Sequence, residues 1–411
     1  MIYDTIKQSG TQYCTAAAAL LPELGVLVTT VRIFMSSMKI CYYFGAYIDS
    51  TAIRKIVYGH SSGLLKSEFY EILQSAETKD VFSARDKVVH TMKRKRIANI
   101  YSAQNVLSFE PRVKEHIRRF YIQLDNRCEQ ALKGKSGFNW SVQKSRAVLN
   151  ICPQFAYLSF DIISDLALGV PFGMVERQKD STPASLSTVS ERNVEGVPII
   201  RLIADGGKIA LAIGPYPAWF QKLLIMAPWH KNDSDSRQNN RKIKSTGQTC
   251  WKLFEVRNPD GSPMSRKEID SEALVTIGDG SDTTANSLSA LCYYVASNSV
   301  IKSRLQKELD SALSSVEEPG KINLGSHHRA RTMARDGSTA LNKYFVPFST
   351  GPRACIGRNL ANMNMLLISA AFFRRYDVEL AIPMPSSRQL EVADAFVRDA
   401  TRCEVSLKRR F

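Results

Sequence analysis

Cys355 stands in the run Phe348-Ser-Thr-Gly351-Pro-Arg353-Ala-Cys355-Ile-Gly357, directly ahead of the apolar stretch 359–376. Two glycines and a proline make a tight, non-repetitive loop, and Gly351 and Gly357 can take backbone angles closed to other residues. The stretch that follows carries apolar residues at helical spacing, which puts the thiol just before a helix start. The first amides of a helix are unpaired donors and its positive end favours an anion. Arg353 adds a cation two residues away. A thiolate held there is stabilised and aimed outward. A cysteine simply buried in a turn is the competing reading.

A second run, Asp279-Gly280-Ser281-Asp282-Thr283-Thr284, lies inside the long apolar pattern 268–298. An acid and two hydroxyls in such a helix are costly if buried without partners. Gly280 leaves room beside the helix, so these residues point to a groove where a water or ligand meets the backbone. A polar patch facing solvent would look the same. A third run, 83–97, is basic, and places His90 and Arg94 one turn apart, so that both can reach a single anion. A solvated basic helix is the plainer account of it.

The elements that must position these side chains read as mostly helical. Segments 65–75, 109–133, 154–169, 199–226, 268–298, 299–314 and 359–376 have apolar residues at three-to-four spacing. Strand signals are short and late, at Tyr376–Leu380 and Cys403–Leu407. Stretches 177–194 and 230–249 read as loops. The expected architecture is mainly α with small β-sheets.

Composition narrows the function classes. The chain has 411 residues, 44% of them hydrophobic, enough for a large buried core. Its formal charge is +16, which favours acidic partners. The basic residues are scattered, and no zinc-finger spacing or aromatic–basic interleaving accompanies them, so nucleic-acid binding is rejected. The eight cysteines (14, 41, 128, 152, 250, 292, 355, 403) contain no Cys-x-x-Cys pair. That is neither a disulfide framework nor a structural zinc site. Reduced, buried thiols and a cytosol-facing compartment are expected. Residues 14–30 are interrupted by Pro22 and Glu23, short of the roughly 20 apolar residues of a membrane-spanning helix.

The loop around Cys355 resembles the haem-binding loop of the cytochrome P450 family, Phe-x-x-Gly-x-Arg-x-Cys-x-Gly, at all five fixed positions. The run at 279–284 resembles that family's Ala/Gly-Gly-x-Asp/Glu-Thr-Thr segment. The resemblance implies the cytochrome P450 fold and a haem whose iron is ligated by Cys355. It implies that Arg353, His90 and Arg94 pair the propionates and that Phe348 packs near the sulfur. Thr283 would hydrogen-bond the bound oxygen and Asp282 would relay protons. Longer strings, Lys66-Ser-Glu-Phe-Tyr70 and the run Phe160 to Phe172 among them, look like the fungal benzoate 4-monooxygenase branch. That implies para-hydroxylation of benzoate or another small aromatic acid, with O2 and NADPH-cytochrome P450 reductase as partners. Other phenolic substrates within the family are the alternative. The family also implies a monomer at the cytosolic face of the endoplasmic reticulum, although no anchor is recognised here and a cytoplasmic place is the alternative.

The pattern has departures. Residues 1–48 are a divergent N-terminal segment, and 49–411 reads as one cytochrome P450 domain with a deletion or unrelated insert near 313–340. The family's Glu-x-x-Arg helix and Pro-Glu-Arg segment are not found between Thr284 and Cys355. A truncated or mis-spliced product that binds haem weakly, acting at most as a scaffold, is therefore expected as the other outcome. Asp279 stands where the family has a small residue, sharing a helix face with Thr283.

Overall fold

In a computed structural model of the chain, residues 59, 64–74, 78–182, 196–217, 219–221, 253, 255–258, 260–312, 347–381 and 389–411 are described. The expectations for 1–48, 313–340 and 230–249, and most of 177–194, lie outside them. Two compact units divide the chain: Met1–Leu64 with Gly337–Ala354, and Leu65–Asp336 with Cys355–Phe411. In the first, a single 3-10 turn, Gly351–Arg353, is described. All other elements below belong to the second.

Long helices begin where a short polar side chain can cap them. Asp86 accepts from the Val89 amide at 2.8 Å to open α1 (Lys87–Ile97). Ser102 does the same for α2 (Ala103–Leu132), accepting from Asn105. Inside α2, Pro111 has no N–H for the Leu107 carbonyl, and Leu107 is exposed, so water can take that bond. Asn150 caps α3 (Ile151–Leu168), which Gly169 ends in the left-handed conformation at φ 73°. Short α4 (Met174–Arg177) and α5 (Ile199–Ile213) follow. Ser265 and Glu268 form a reciprocal capping box at the start of α6 (Arg266–Ala296). Then come α7 (Ser299–Ala312) and α8 (Arg358–Arg375).

Two small antiparallel sheets complete the unit. Strands β1 (Trp140–Gln143), β2 (Arg146–Asn150), β3 (Tyr376–Leu380) and β6 (Glu404–Arg409) pair in the order β1-β2-β6-β3. Strands β4 (Glu391–Ala393) and β5 (Asp399–Arg402) form a ribbon. The core fills the space between α2, α3, α6, α8 and the larger sheet, with Phe120, Phe155, Phe372 and Tyr376 fully enclosed. Helix α3 is long and apolar enough to cross a membrane, but 72% of it is buried in the protein, as befits a core helix.

The mainly α class with small sheets is as the sequence predicts. Three details differ. Segment 65–75 forms only a 3-10 turn, Glu68–Glu71. Helix α5 stops at Ile213, where Gly214 and Pro217 break the pattern expected to run to 226. The β1–β2 hairpin turns on Lys144 and Ser145, both at positive φ (50° and 59°), without the Asn-Gly pair that would have announced it.

Candidate functional site

Helix α6 crosses the middle of the second unit with one accessible stripe. Asp279, Thr283 and Ser287, each four residues apart, are exposed, whereas Ser281, Thr284, Ala285 and Leu288 are buried. The Thr283 hydroxyl donates to the Asp279 carbonyl at 2.8 Å and Ser287 donates to the Thr283 carbonyl at 2.8 Å. Their hydrogens are thus spent on the helix itself, and the lone pairs of Thr283 Oγ1 face the stripe as acceptors. Beside Gly280, Ile163 Cδ1 of α3 lies 3.4 Å from where a Cβ would stand. The glycine therefore serves helix packing, not the groove expected beside it.

The two acids of the run differ. Asp282 is half-buried and accepts from Asn286 Nδ2 at 3.0 Å, while Asn286 Oδ1 accepts from the Ala400 amide of β5 at 2.8 Å. Burial, with the charge of Asp399, raises Asp282 to about 6. For the Asp279 carboxyl no hydrogen-bond or ion-pair partner is found among the described residues. Burial raises it to about 7, the negative charges of Asp80 and Asp282 act in the same sense, and Lys66 opposes them.

Cys355 opens the second unit just ahead of α8 and is exposed, in contrast to Cys128, Cys152, Cys292 and Cys403, which are buried and free. Burial pushes Cys128 up to about 11 and Cys152 to about 12, as expected of inert core thiols. Partial burial also raises Cys355. The Gly357 N–H, Arg94 and Arg358 pull it down, and the charge of Asp279 pushes it up. The helix start therefore does not by itself lower this thiol below its ordinary value, a correction to the simple reading of the loop. Asp279 and Cys355 lie within electrostatic reach of each other, and both act on the half-buried Tyr101, whose phenol desolvation pushes up to about 12. Tyr101 in turn holds the α8 start in place: its carbonyl accepts from Asn359 Nδ2 at 3.0 Å, and its hydroxyl meets Thr276 of α6 at 2.9 Å.

The loop residues before the cysteine belong to the first unit. Gly351 has φ 77°, which only glycine takes readily, and the Ala354 amide donates to its carbonyl at 3.1 Å. Gly357 sits at φ −80° with open space around it, so no steric demand fixes a glycine there. Phe348 and Arg353 are half-buried.

On α1, His90 is buried and Arg94 half-buried, one turn apart as predicted, with Arg94 close enough to feel the charge of Cys355. The rest of the basic run is not a solvated face. Lys93 is buried, 3.5 Å from Glu272 and 3.6 Å from Glu268, and Arg96 bonds Glu268 at 3.0 Å and Asn258 at 2.5 Å. These inward cations tie α1 to α6 and leave Lys87 and Lys95 on the outside. Glu272, Tyr101, Asn359 and Lys66 were not singled out from sequence; only their distance partners give them meaning.

This donor set suits a haem. Among the described residues no three His, Cys, Asp or Glu side chains gather to cage a bare ion. A macrocycle brings four nitrogens of its own and asks the protein for one axial ligand, which an exposed thiol can supply. Arg94 lies within electrostatic reach of that thiol, with His90 one turn away on the same helix, and the two are of a type that pairs propionates.

Known proteins resemble the chain at three levels. The family model described as "Cytochrome P450" matches residues 218–323 and 334–402. Benzoate 4-monooxygenase bphA of Aspergillus niger is 26% identical, the match covering 88% of this chain and 83% of that protein. Cytochrome P450 monooxygenase poxM of Penicillium oxalicum is 23% identical over 80% of this chain and 73% of its own length. The crystal structure of a cytochrome P450 matches with a TM-score of 0.55 at 14% identity, covering 85% of this chain and 86% of that one.

Proposed function

We propose that this chain, a cytochrome P450 in its fold and in its sequence relatives, is a haem-thiolate monooxygenase acting on a small aromatic acid, benzoate being the model substrate. Haem, when bound, supplies the dioxygen chemistry, with one oxygen atom going into a C–H bond and the other to water. The electrons come from NADPH-cytochrome P450 reductase, and the family's place at the cytosolic face of the endoplasmic reticulum is adopted with it.

The protein's part is binding, orientation and proton supply. Cys355 would hold the haem iron through its sulfur, at which the Gly357 amide is directed. His90 and Arg94, together with Arg353 by its place in the loop motif, hold the propionates, and Phe348 shields the sulfur. Thr283 Oγ1 presents an acceptor to whatever lies against the stripe of α6, and Asp282, set near neutrality, is suited to pass protons toward it. The single observation that carries this reading is the exposed Cys355 thiol, within electrostatic reach of the accessible Asp279–Thr283 stripe.

The test is the reduced carbon-monoxide spectrum of the purified chain, beside that of Cys355→Ser. A thiolate band in the parent, lost in the variant, supports the reading. Protein that purifies without haem, or shows no such band, overturns it in favour of an inactive scaffold.

A further inference from the structure

Asn286 lies one turn beyond Asp282 on α6 and joins that helix to β5. Its Nδ2 donates to Asp282 Oδ1 at 3.0 Å, and its Oδ1 accepts from the Ala400 amide at 2.8 Å. A side-chain amide can turn either end toward a carboxyl. A main-chain N–H can only donate, so the Ala400 amide keeps the oxygen end on β5 and forces the NH2 end toward Asp282. The strand is itself held beyond Ala400. Asn150 donates to the Thr401 carbonyl at 3.0 Å and accepts from the Cys403 amide at 3.0 Å. The donor offered to Asp282 is thus set by main chain. The second Asp282 oxygen has no hydrogen-bond partner among the described residues, which leaves it for the proton. Burial and the charge of Asp399 on β5 keep that proton on, and Asn286 works against them. Lys208 of α5 offsets Asp399, and Asp279, earlier on α6, feels the charge of Asp282 in turn.

We propose that Asn286 is a positioning residue for proton transfer: oriented by the β5 main chain, it holds one Asp282 oxygen in place and steadies the carboxylate left each time a proton is passed on. The assignment rests on the reading of Asp282 as a proton relay given above. A hydrogen bond from a neutral NH2 group strengthens when its acceptor becomes charged. Without that donor, a half-buried carboxyl beside another acid clings to its proton. A group that does not let go relays nothing. A lysine or arginine in place of Asn286 would err the other way, fixing Asp282 as a permanent anion with no proton to give. A neutral donor, held at its far end by a strand, lies between these extremes.

Infrared titration of the purified chain tests this without turnover, by following the carboxyl signal that Asp282→Asn removes in each background. In Asn286→Leu that signal should titrate about one pH unit above the parent's, the worth of one hydrogen bond to a charged group. Titration as in the parent would overturn the proposal and leave the monooxygenase reading untouched. The second measurement is the pH profile of product against hydrogen peroxide, in haem-loaded chain supplied with benzoate. Asn286→Asp can still accept from Ala400, and so keeps β5 docked, but it faces Asp282 with a second carboxyl instead of a donor. Its profile should move to higher pH, as that of Asn286→Leu does. A parent-like profile in Asn286→Asp would mean that Asn286 only docks the strand, and would overturn its role. An infrared shift with unmoved profiles in both variants would show that Asp282 relays no protons, and would remove Asn286 from the reaction with it. A chain that takes up no haem would sink the relay reading itself, whatever the infrared signal does.

Discussion

Lys93 of α1 and Glu272 of α6 face each other at 3.5 Å between two helices, and both side chains are buried. Burial raises Glu272 from 4.5 to about 7, with the Val81 amide and Lys93 pulling the other way. The folded state thus keeps a proton that the unfolded chain has already lost. Below the unfolded value both states are protonated and the contribution is fully present. It is lost as pH rises through about 7, to an upper bound of about 3 kcal/mol. Glu272→Gln should therefore flatten the dependence of the urea midpoint between pH 4.5 and 7, and above pH 7 be more stable than the parent. An unchanged slope would remove Glu272 from the account.

Thr283→Ala removes the hydroxyl acceptor nearest Asp279 on the accessible stripe. Product formation should fall about 100-fold, the low end of what a positioned proton-handling group contributes. NADPH consumption should continue, with hydrogen peroxide released in place of product. Oxygen and peroxide balances measured together check this.

His90→Ala and Arg94→Ala should each speed haem loss to a scavenger protein about tenfold, the loss of one charge-assisted hydrogen bond. Helix content should stay unchanged, since Lys93 and Arg96 make the contacts of α1 with α6. Circular dichroism read beside the transfer rate separates the two roles.

Arg375→Ala breaks a different kind of contact. Arg375 Nε bonds both Asp125 carboxylate oxygens, at 3.0 and 3.1 Å, and Tyr376 donates to the same carboxylate at 2.8 Å, pinning α8 to α2. Stripping the cation leaves a largely buried anion uncompensated, at a cost of about 3 kcal/mol. Denaturant unfolding should show that loss while the thiolate band keeps its position.

Sequence spacing made α3, α6, α7 and α8 legible almost to the residue, because each carries apolar residues at three-to-four spacing over several turns. Cys355 and Thr283 were legible for a different reason: both lie in short runs with several constrained positions. Lys93 shows the limit. Within a run of four basic residues nothing distinguishes the two that turn inward, since their partners Glu268 and Glu272 lie more than 170 positions away. The β1–β2 hairpin was missed because Lys144-Ser145 adopts a backbone normally left to asparagine and glycine.

Strand β6 lies in the middle of its sheet, between β2 and β3, and its ladder partners on β2 are 254 to 260 positions earlier in the chain. During synthesis, β2 therefore leaves the ribosome with only β1 beside it and one edge bare. That edge must wait for almost two-thirds of the polypeptide before its proper neighbour exists. Slow translation between the two strands, or shortage of chaperone, should accordingly be felt first as aggregation through the β1–β2 hairpin, well before any fault around Cys355.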